Sequence, residues 1–327
     1  MTATEQALPT TTVGSFPKPP YLLEARRKHA RKQLGAGELE RLERQATEEW
    51  IRRQEEIGLD ILVDGEMYRG DMVAFFADEM DGFAIPGLVR SYGNRYYPKP
   101  AVVGPVGRRR PVTVAWWTFA QSLTSKPVKG MLTGPYTIAE WSFNEHYPTR
   151  RELVLDLARA IHDEAVDLER AGARYIQIDE PAIHTRPDED FELAVEAMDI
   201  VTRGLQAYTI SHVCYGDVPR IYPAMLRLGV HQLDLALKNE DFALLDTFRS
   251  PRFTKDIGLG VIDAHSHRTE SPDEVVEGIR RALKVIPLPQ IYVSPDCGLK
   301  TRTIEETVAK LTSMVEGTRR VRKELSK

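Results

Sequence analysis

The chain has 327 residues, 42% of them hydrophobic and 28% charged, and carries a net charge of −4 at pH 7. No apolar run reaches the roughly 18 residues a membrane-spanning helix needs, and the slight acidity gives no footprint for nucleic acid. The length fits either two domains or one (β/α)₈ barrel.

In chain order, the N-terminal stretch "MTATEQALPTTTVGSF" has neither a charged start nor an apolar centre, so no secretory leader is expected. Short apolar or β-branched runs then recur at 10–16, 61–66, 127–135, 174–181, 207–214, 232–238, 256–264 and 290–298. Longer charged or amphipathic stretches separate them. The region 23–57 reads as charged helix, and 149–171 carries Leu153, Leu157, Ile161, Ala165 and Leu168 on one helical face. Strands alternating with helices predict a parallel sheet, and eight such units predict an α/β fold with a single (β/α)₈ TIM-type barrel over 1–327. A segment at about 83–112, rich in Gly, Pro, Tyr and Arg, reads as an inserted hairpin or lid.

Polar residues gather where these runs end: Ser15, Glu66, Thr133, Asp179, Glu180, His212, Cys214, Asp263, His265 and Cys297. Those ends form the active-site mouth of such a barrel. Asp179 and Glu180 are adjacent on a strand, so only one of them can face the mouth. The ordinary role for such a pair is a helix N-cap or a rim salt bridge. His265 and His267, two apart in "VIDAHSH", each suit a metal ligand or a general acid, and a solvated loop residue is the ordinary alternative for His267.

The chain has two cysteines, which suits a reducing cytoplasm better than a disulfide scaffold. His212 and Cys214 lie two apart and share a strand face, and Cys297 lies near the end of the eighth run. Two thiolates and one imidazole make a three-ligand zinc site with an open position. Spacing alone leaves a second reading, of two buried cysteines and a hydrogen-bonded core histidine.

The runs "TTTVGSFPKP", "DGEMYRGDMV", "QSLTSKPVKGMLTGPYTIAEWSF", "IQIDEPAI", "HVCYGD", "GLGVIDAHS" and "SPDCGLKTR" resemble, in order, the C-terminal catalytic half of cobalamin-independent methionine synthase. The resemblance covers about 10–320. It implies methyl transfer to the thiol of homocysteine at a zinc ion held by His212, Cys214 and Cys297. It further implies substrate contacts at Val13, Gly14, Ser15, Glu66 and Asp179, a proton donor at His265, and methyl-donor contacts at Arg95, Tyr96 and Trp141.

Three departures accompany the matches. The family's N-terminal barrel has no counterpart in these 327 residues. The family's fourth ligand, a glutamate, falls on Ala236, with Glu240 and then Asp234 as the nearest replacements and water as the other option. The acidic residue that contacts folate falls on Thr185. These departures predict a methylated corrinoid, free as methylcobalamin or carried by a corrinoid protein, as donor. The alternatives are an alkyltransferase for another small thiol of the coenzyme M type, or a non-catalytic partner of a corrinoid protein.

Overall fold

The computed structural model describes residues 7–90 and 96–327, with backbone only at 187–190. The strands in chain order are β1 Met80–Ala84, β2 Leu88–Arg90, β3 Tyr96–Pro98, β4 Ala101–Arg108, β5 Gly130–Thr133, β6 Phe143–Asn144, β7 Tyr175–Asp179, β8 Tyr208–Val213, β9 Gln232–Leu235, β10 Asp256–Gly260 and β11 Ile291–Ser294. Six of the eight predicted runs are strands of one sheet, in the order β11-β10-β9-β8-β7-β5.

The first two runs take part through single parallel bridges, Thr10 with Val293 and Leu62 with Val128. Thr11 N donates to the Val293 carbonyl at 2.9 Å, and Val293 N donates to Pro9 O at 2.8 Å. Asp60 N and Ile61 N both donate to Thr10 O. Leu62 N donates to Pro127 O, and Lys129 N to Leu62 O, each at 2.9 Å. Run eight is thus bonded to run one, one to two, and two to three, while the sheet order joins three through eight. These bonds and the sheet order give the α/β fold with a parallel sheet that the alternation predicted. Pro9 has no N–H to give to a ladder, which helps keep the first run to a bridge.

Contacts group the chain into two compact units interleaved in sequence. One comprises Met1–Tyr68, Trp116–Lys129 and Gln232–Lys327, the other Arg69–Ala115 and Gly130–His231. In the first, the helix Ala36–Ile57 buries Ala46, Trp50, Ile51 and Ile57 and stops at Gly58, whose φ of 91° suits glycine. In the second, the helix Arg150–Ala171 buries the whole predicted face from Leu153 to Leu168. Its start is capped by Thr149, whose side chain accepts from Glu152 N.

The insertion is present, with bounds shifted from the expected 83–112. β1 pairs antiparallel with β4, and β2 with β3. Its far end is pinned by Glu164, fully buried, which accepts from Arg108 Nη1 at 2.6 Å and from the backbone of Val112 and Thr113. No helix among the described residues is long and apolar enough to cross a membrane.

Candidate metal and substrate site

His212 lies near the end of β8, 3% exposed, and Cys214 follows just past the strand, half-buried. Each of His212, Cys214 and Cys297 offers one ligand atom, and the three lie within 4.8 Å of one another. Edges of a tetrahedral zinc site with nitrogen and sulfur ligands run roughly 3.3–3.8 Å. The set has the donor chemistry zinc requires, and a closure of about 1 Å or less brings its atoms to those edges, so these residues fit the ion. This convergence favours a ligand set over two inert cysteines.

Cys297 is held by its neighbour. Asp296 is fully buried and accepts from three backbone N–H groups, Leu237 and Lys238 on Oδ1 and Asn239 on Oδ2, at 2.7–2.9 Å. Burial pushes its carboxyl up to about 7, against those three donors. Gly260 makes room, because a Cβ there would sit 2.2 Å from Asp296 Oδ1. The same three bonds fix the turn after Ala236, which is half-buried. Neither suggested replacement joins the cluster. Glu240 is exposed on the turn Lys238–Glu240, and Asp234 is buried in β9, accepting from Ser294 Oγ at 3.3 Å. A short 3₁₀ turn aims Glu240 into solvent, which corrects the expectation that it could stand in for the missing glutamate.

A second corner forms from three segments of the first unit. Val13 and Gly14 are buried and Ser15 is half-buried. Ser15 O accepts from Leu299 N at 2.8 Å, and Phe16 N donates to Gly65 O at 3.1 Å. Gly298 lets Ser15 approach, since a Cβ would meet Ser15 Oγ at 2.1 Å. The helix Ala36–Ile57 braces both sides: Trp50 stacks on Phe16 and donates to Pro17 O, while Gln54 bonds the backbone of Val63 in both directions. Glu66 follows with a φ of 58°, a left-handed conformation costly for a side chain of this size. Its N–H donates to buried Asp64, which also accepts from Tyr68 Oη at 2.9 Å. Strain of this kind persists where surroundings enforce it, commonly at working sites.

Asp179 and Glu180 divide as adjacent strand residues must. Asp179, 8% exposed, accepts from Gln177 Nε2 at 2.7 Å. Glu180 turns the other way and takes the backbone N–H groups of Tyr136 and Thr137 together with the Thr137 hydroxyl. It is the cap of the helix Pro135–Glu140. Thr133, at the end of β5, donates to Met72 O.

The remaining expected residues are more scattered. Trp141 is half-buried at the end of Pro135–Glu140 and Tyr96 is 63% exposed in β3; Arg95 lies outside the described residues. Thr185 donates to Ala182 O within its own turn. His265 is exposed, its N–H bonded to Asp263 Oδ1 at 2.8 Å. His267 is also exposed and pairs with Glu306 at 2.8 Å. Sequence reasoning passed over Asp296, Asp64 and Lys18. Asp296 lay inside "SPDCG" and Lys18 inside "GSFPKPP", but neither matches a metal or acid–base spacing.

Residues 8–320 match the family described as "Cobalamin-independent synthase, Catalytic domain". The chain is 41% identical over 321 residues to a methionine synthase of Saccharolobus solfataricus, covering 98% of this chain and 96% of the relative. It is 40% identical to a methionine synthase of Sulfolobus acidocaldarius, covering 98% and 94%. Among solved structures, a B12-independent methionine synthase from Shewanella sp. W3-18-1 in complex with selenomethionine superposes with a TM-score of 0.84 at 27% identity, covering 98% of this chain and 99% of that one. A family defined as cobalamin-independent runs against the expected corrinoid donor and corrinoid protein, and Ala236 and Thr185 alone do not sustain them. With its eight-run fold, its converging Cys and His residues and these relatives, the chain belongs to the cobalamin-independent methionine synthase catalytic-domain family and is a methyltransferase.

Proposed function

We propose that this methyltransferase converts homocysteine to methionine, with a zinc ion held by His212, Cys214 and Cys297 and a methylated nitrogen of the folate type as donor. The observation that carries the reading is the convergence of those three ligand atoms within 4.8 Å, in a chain 41% identical to a methionine synthase. The selenomethionine in the Shewanella relative is of the class expected for the product. When bound, zinc supplies Lewis acidity that keeps the substrate sulfur ionised near neutral pH.

The chain's own residues supply the rest. Glu66 and Asp179 are the carboxylates for the substrate ammonium group, and Ser15 with the adjacent backbone of Val13 and Gly14 orients the amino-acid end. Arg95, Tyr96 and Trp141 are assigned to the donor. In the transfer a sulfur–carbon bond forms, a nitrogen–carbon bond breaks, and His265 gives the departing nitrogen its proton. Its exposure allows exchange of that proton with solvent. Alignment of the two reactants is the main source of acceleration. Two cysteines that form no disulfide fit a reducing cytoplasm.

The test joins metal content to turnover. Purified protein should hold one zinc per chain and form methionine from homocysteine and methyltetrahydrofolate. Cys297→Ser should lose both metal and activity. Full zinc with normal turnover in that variant would remove the metal assignment, and activity with methylcobalamin alone would remove the nitrogen donor.

A further inference from the structure

The corner built from Ser15, Glu66 and Gly298 contains a cation with no assigned task. Lys18 lies in "FPKPP", between Pro17 and Pro19, where fixed φ angles restrict the backbone before the helix Pro20–Ala30 begins. Its Nζ donates to the Glu66 carbonyl oxygen at 3.1 Å. Among the described residues that is its one hydrogen bond, and no carboxylate lies within ion-pair range.

The neighbouring charges sharpen the case. Arg26 and Lys300 both act on Lys18 as like charges, and Glu66 and Glu43 as opposite ones. Glu43 is already engaged, with Arg26 Nη1 at 2.5 Å. Lys300 is three residues beyond Cys297 and exposed. Burial, followed by Arg26, draws the Lys18 ammonium down to about 8, with Glu66 and Glu43 pulling weakly the other way, the direction expected for a partly desolvated cation that lacks an ion-pair contact. An incoming carboxylate would supply it.

We propose that Lys18 receives the carboxylate of the amino-acid substrate and makes the site selective for an amino-acid thiol over the corresponding amine thiol. The inference rests on the homocysteine reading above and adds a residue to it. Homocysteine presents an ammonium and a carboxylate on one carbon. Glu66 uses its side chain for the first, and its backbone oxygen holds Lys18 for the second. One strained residue therefore sets both charges side by side. Because Lys18 Nζ is already held at the Glu66 carbonyl, little side-chain freedom is lost when substrate arrives.

Comparison of homocysteine with 3-aminopropane-1-thiol, which lacks only the carboxylate, tests the assignment. In Lys18→Met, KM for homocysteine should rise about tenfold or more, the scale of one lost charge-assisted contact. The change in kcat should be small, and 3-aminopropane-1-thiol should be turned over as by wild type. The preference for homocysteine therefore collapses, and Lys18→Arg should restore much of it. Thermal melting checks that the variants fold, with Lys18→Gln in place of Met if that variant does not. Equal slowing of both thiols would overturn the Lys18 assignment alone. A wild-type protein that methylates neither thiol would overturn the homocysteine reading, and this inference with it.

Discussion

Two adjacent acids show how a one-residue step decides a role. Asp179 and Glu180 follow each other in "IDEP", and their alternation told that one would face away from the mouth, though not which helix would claim it. Glu180 is tied to Tyr136 and Thr137, more than forty residues earlier, so its cap role depends on tertiary geometry. Burial raises its carboxyl to about 7, opposed by the same donors. Gly134 makes this possible, since a Cβ there would meet the Glu180 carboxylate at 2.1–2.2 Å. Each carboxyl oxygen faces a backbone N–H, so an amide cannot replace it without turning an NH₂ toward one of them. Glu180→Gln should therefore destabilise the fold by about 1–3 kcal/mol, measured by urea unfolding. An unchanged midpoint would mean the cap contributes nothing. The same logic explains what was legible at the metal cluster. His212 and Cys214 could be paired by strand period alone, whereas Cys297 lies 83 residues beyond Cys214 and no local spacing links it to them.

At the scale of elements, helices with strong local signals were readable and junctions without them were not. The buried face of Arg150–Ala171 followed from period alone. The insertion was recognisable by composition, but its start was not: β1 begins at Met80, directly after the helix Met72–Glu79, with no Gly or Pro to mark the change. The helix Pro272–Leu283 is the opposite case. Its opening "SPDE" forms a full capping box, Ser271 and Glu274 bonding each other's backbone reciprocally. Glu274 also takes both Arg268 guanidinium nitrogens at 2.8 Å, and that pairing first, then the Ser271 N–H, brings its carboxyl down to about 2. The unfolded chain holds this proton at an ordinary carboxylate value. The contribution to stability is thus complete above about pH 4.5 and is lost as pH falls toward 2. Glu274→Gln should melt below wild type at pH 7, and the gap should narrow steadily below pH 4.5. A gap constant from pH 7 to pH 3 would mean that the carboxylate's charge is irrelevant to the cap.

For the whole molecule, the eight runs and their order could be read from the sequence, because each strand of a parallel ring is a short apolar run flanked by helix. The division of contacts could not. The chain passes between the two compact units after Tyr68, Ala115, Lys129 and His231, and none of those points is a Gly- or Pro-rich linker. Long-range contacts, unlike local propensity, leave no compositional mark. The interleaving has a consequence for fragments. A chain ending at His231 keeps both stretches of the second unit but loses Gln232–Lys327 from the first. With that loss go β9, β10 and β11, the Val293 partner of Thr10, and the buried Leu311, Met314 and Val315. Arg322, which bonds Leu8 O and Asp60, goes as well. The segment Leu8–Tyr68 then has much of its apolar surface returned to water, at about 25 cal/mol per Å². That is more than a marginally stable fold can absorb. Fragment 1–231 should accordingly be cut rapidly within the helix Ala36–Ile57 by limited proteolysis, with the emission of Trp50, fully buried in the intact chain, shifted to the red. The intact protein should resist under the same conditions. Equal resistance of fragment and full chain would show that residues 7–68 hold their structure without the last 96 residues, and that the first unit's three stretches do not fold as one body.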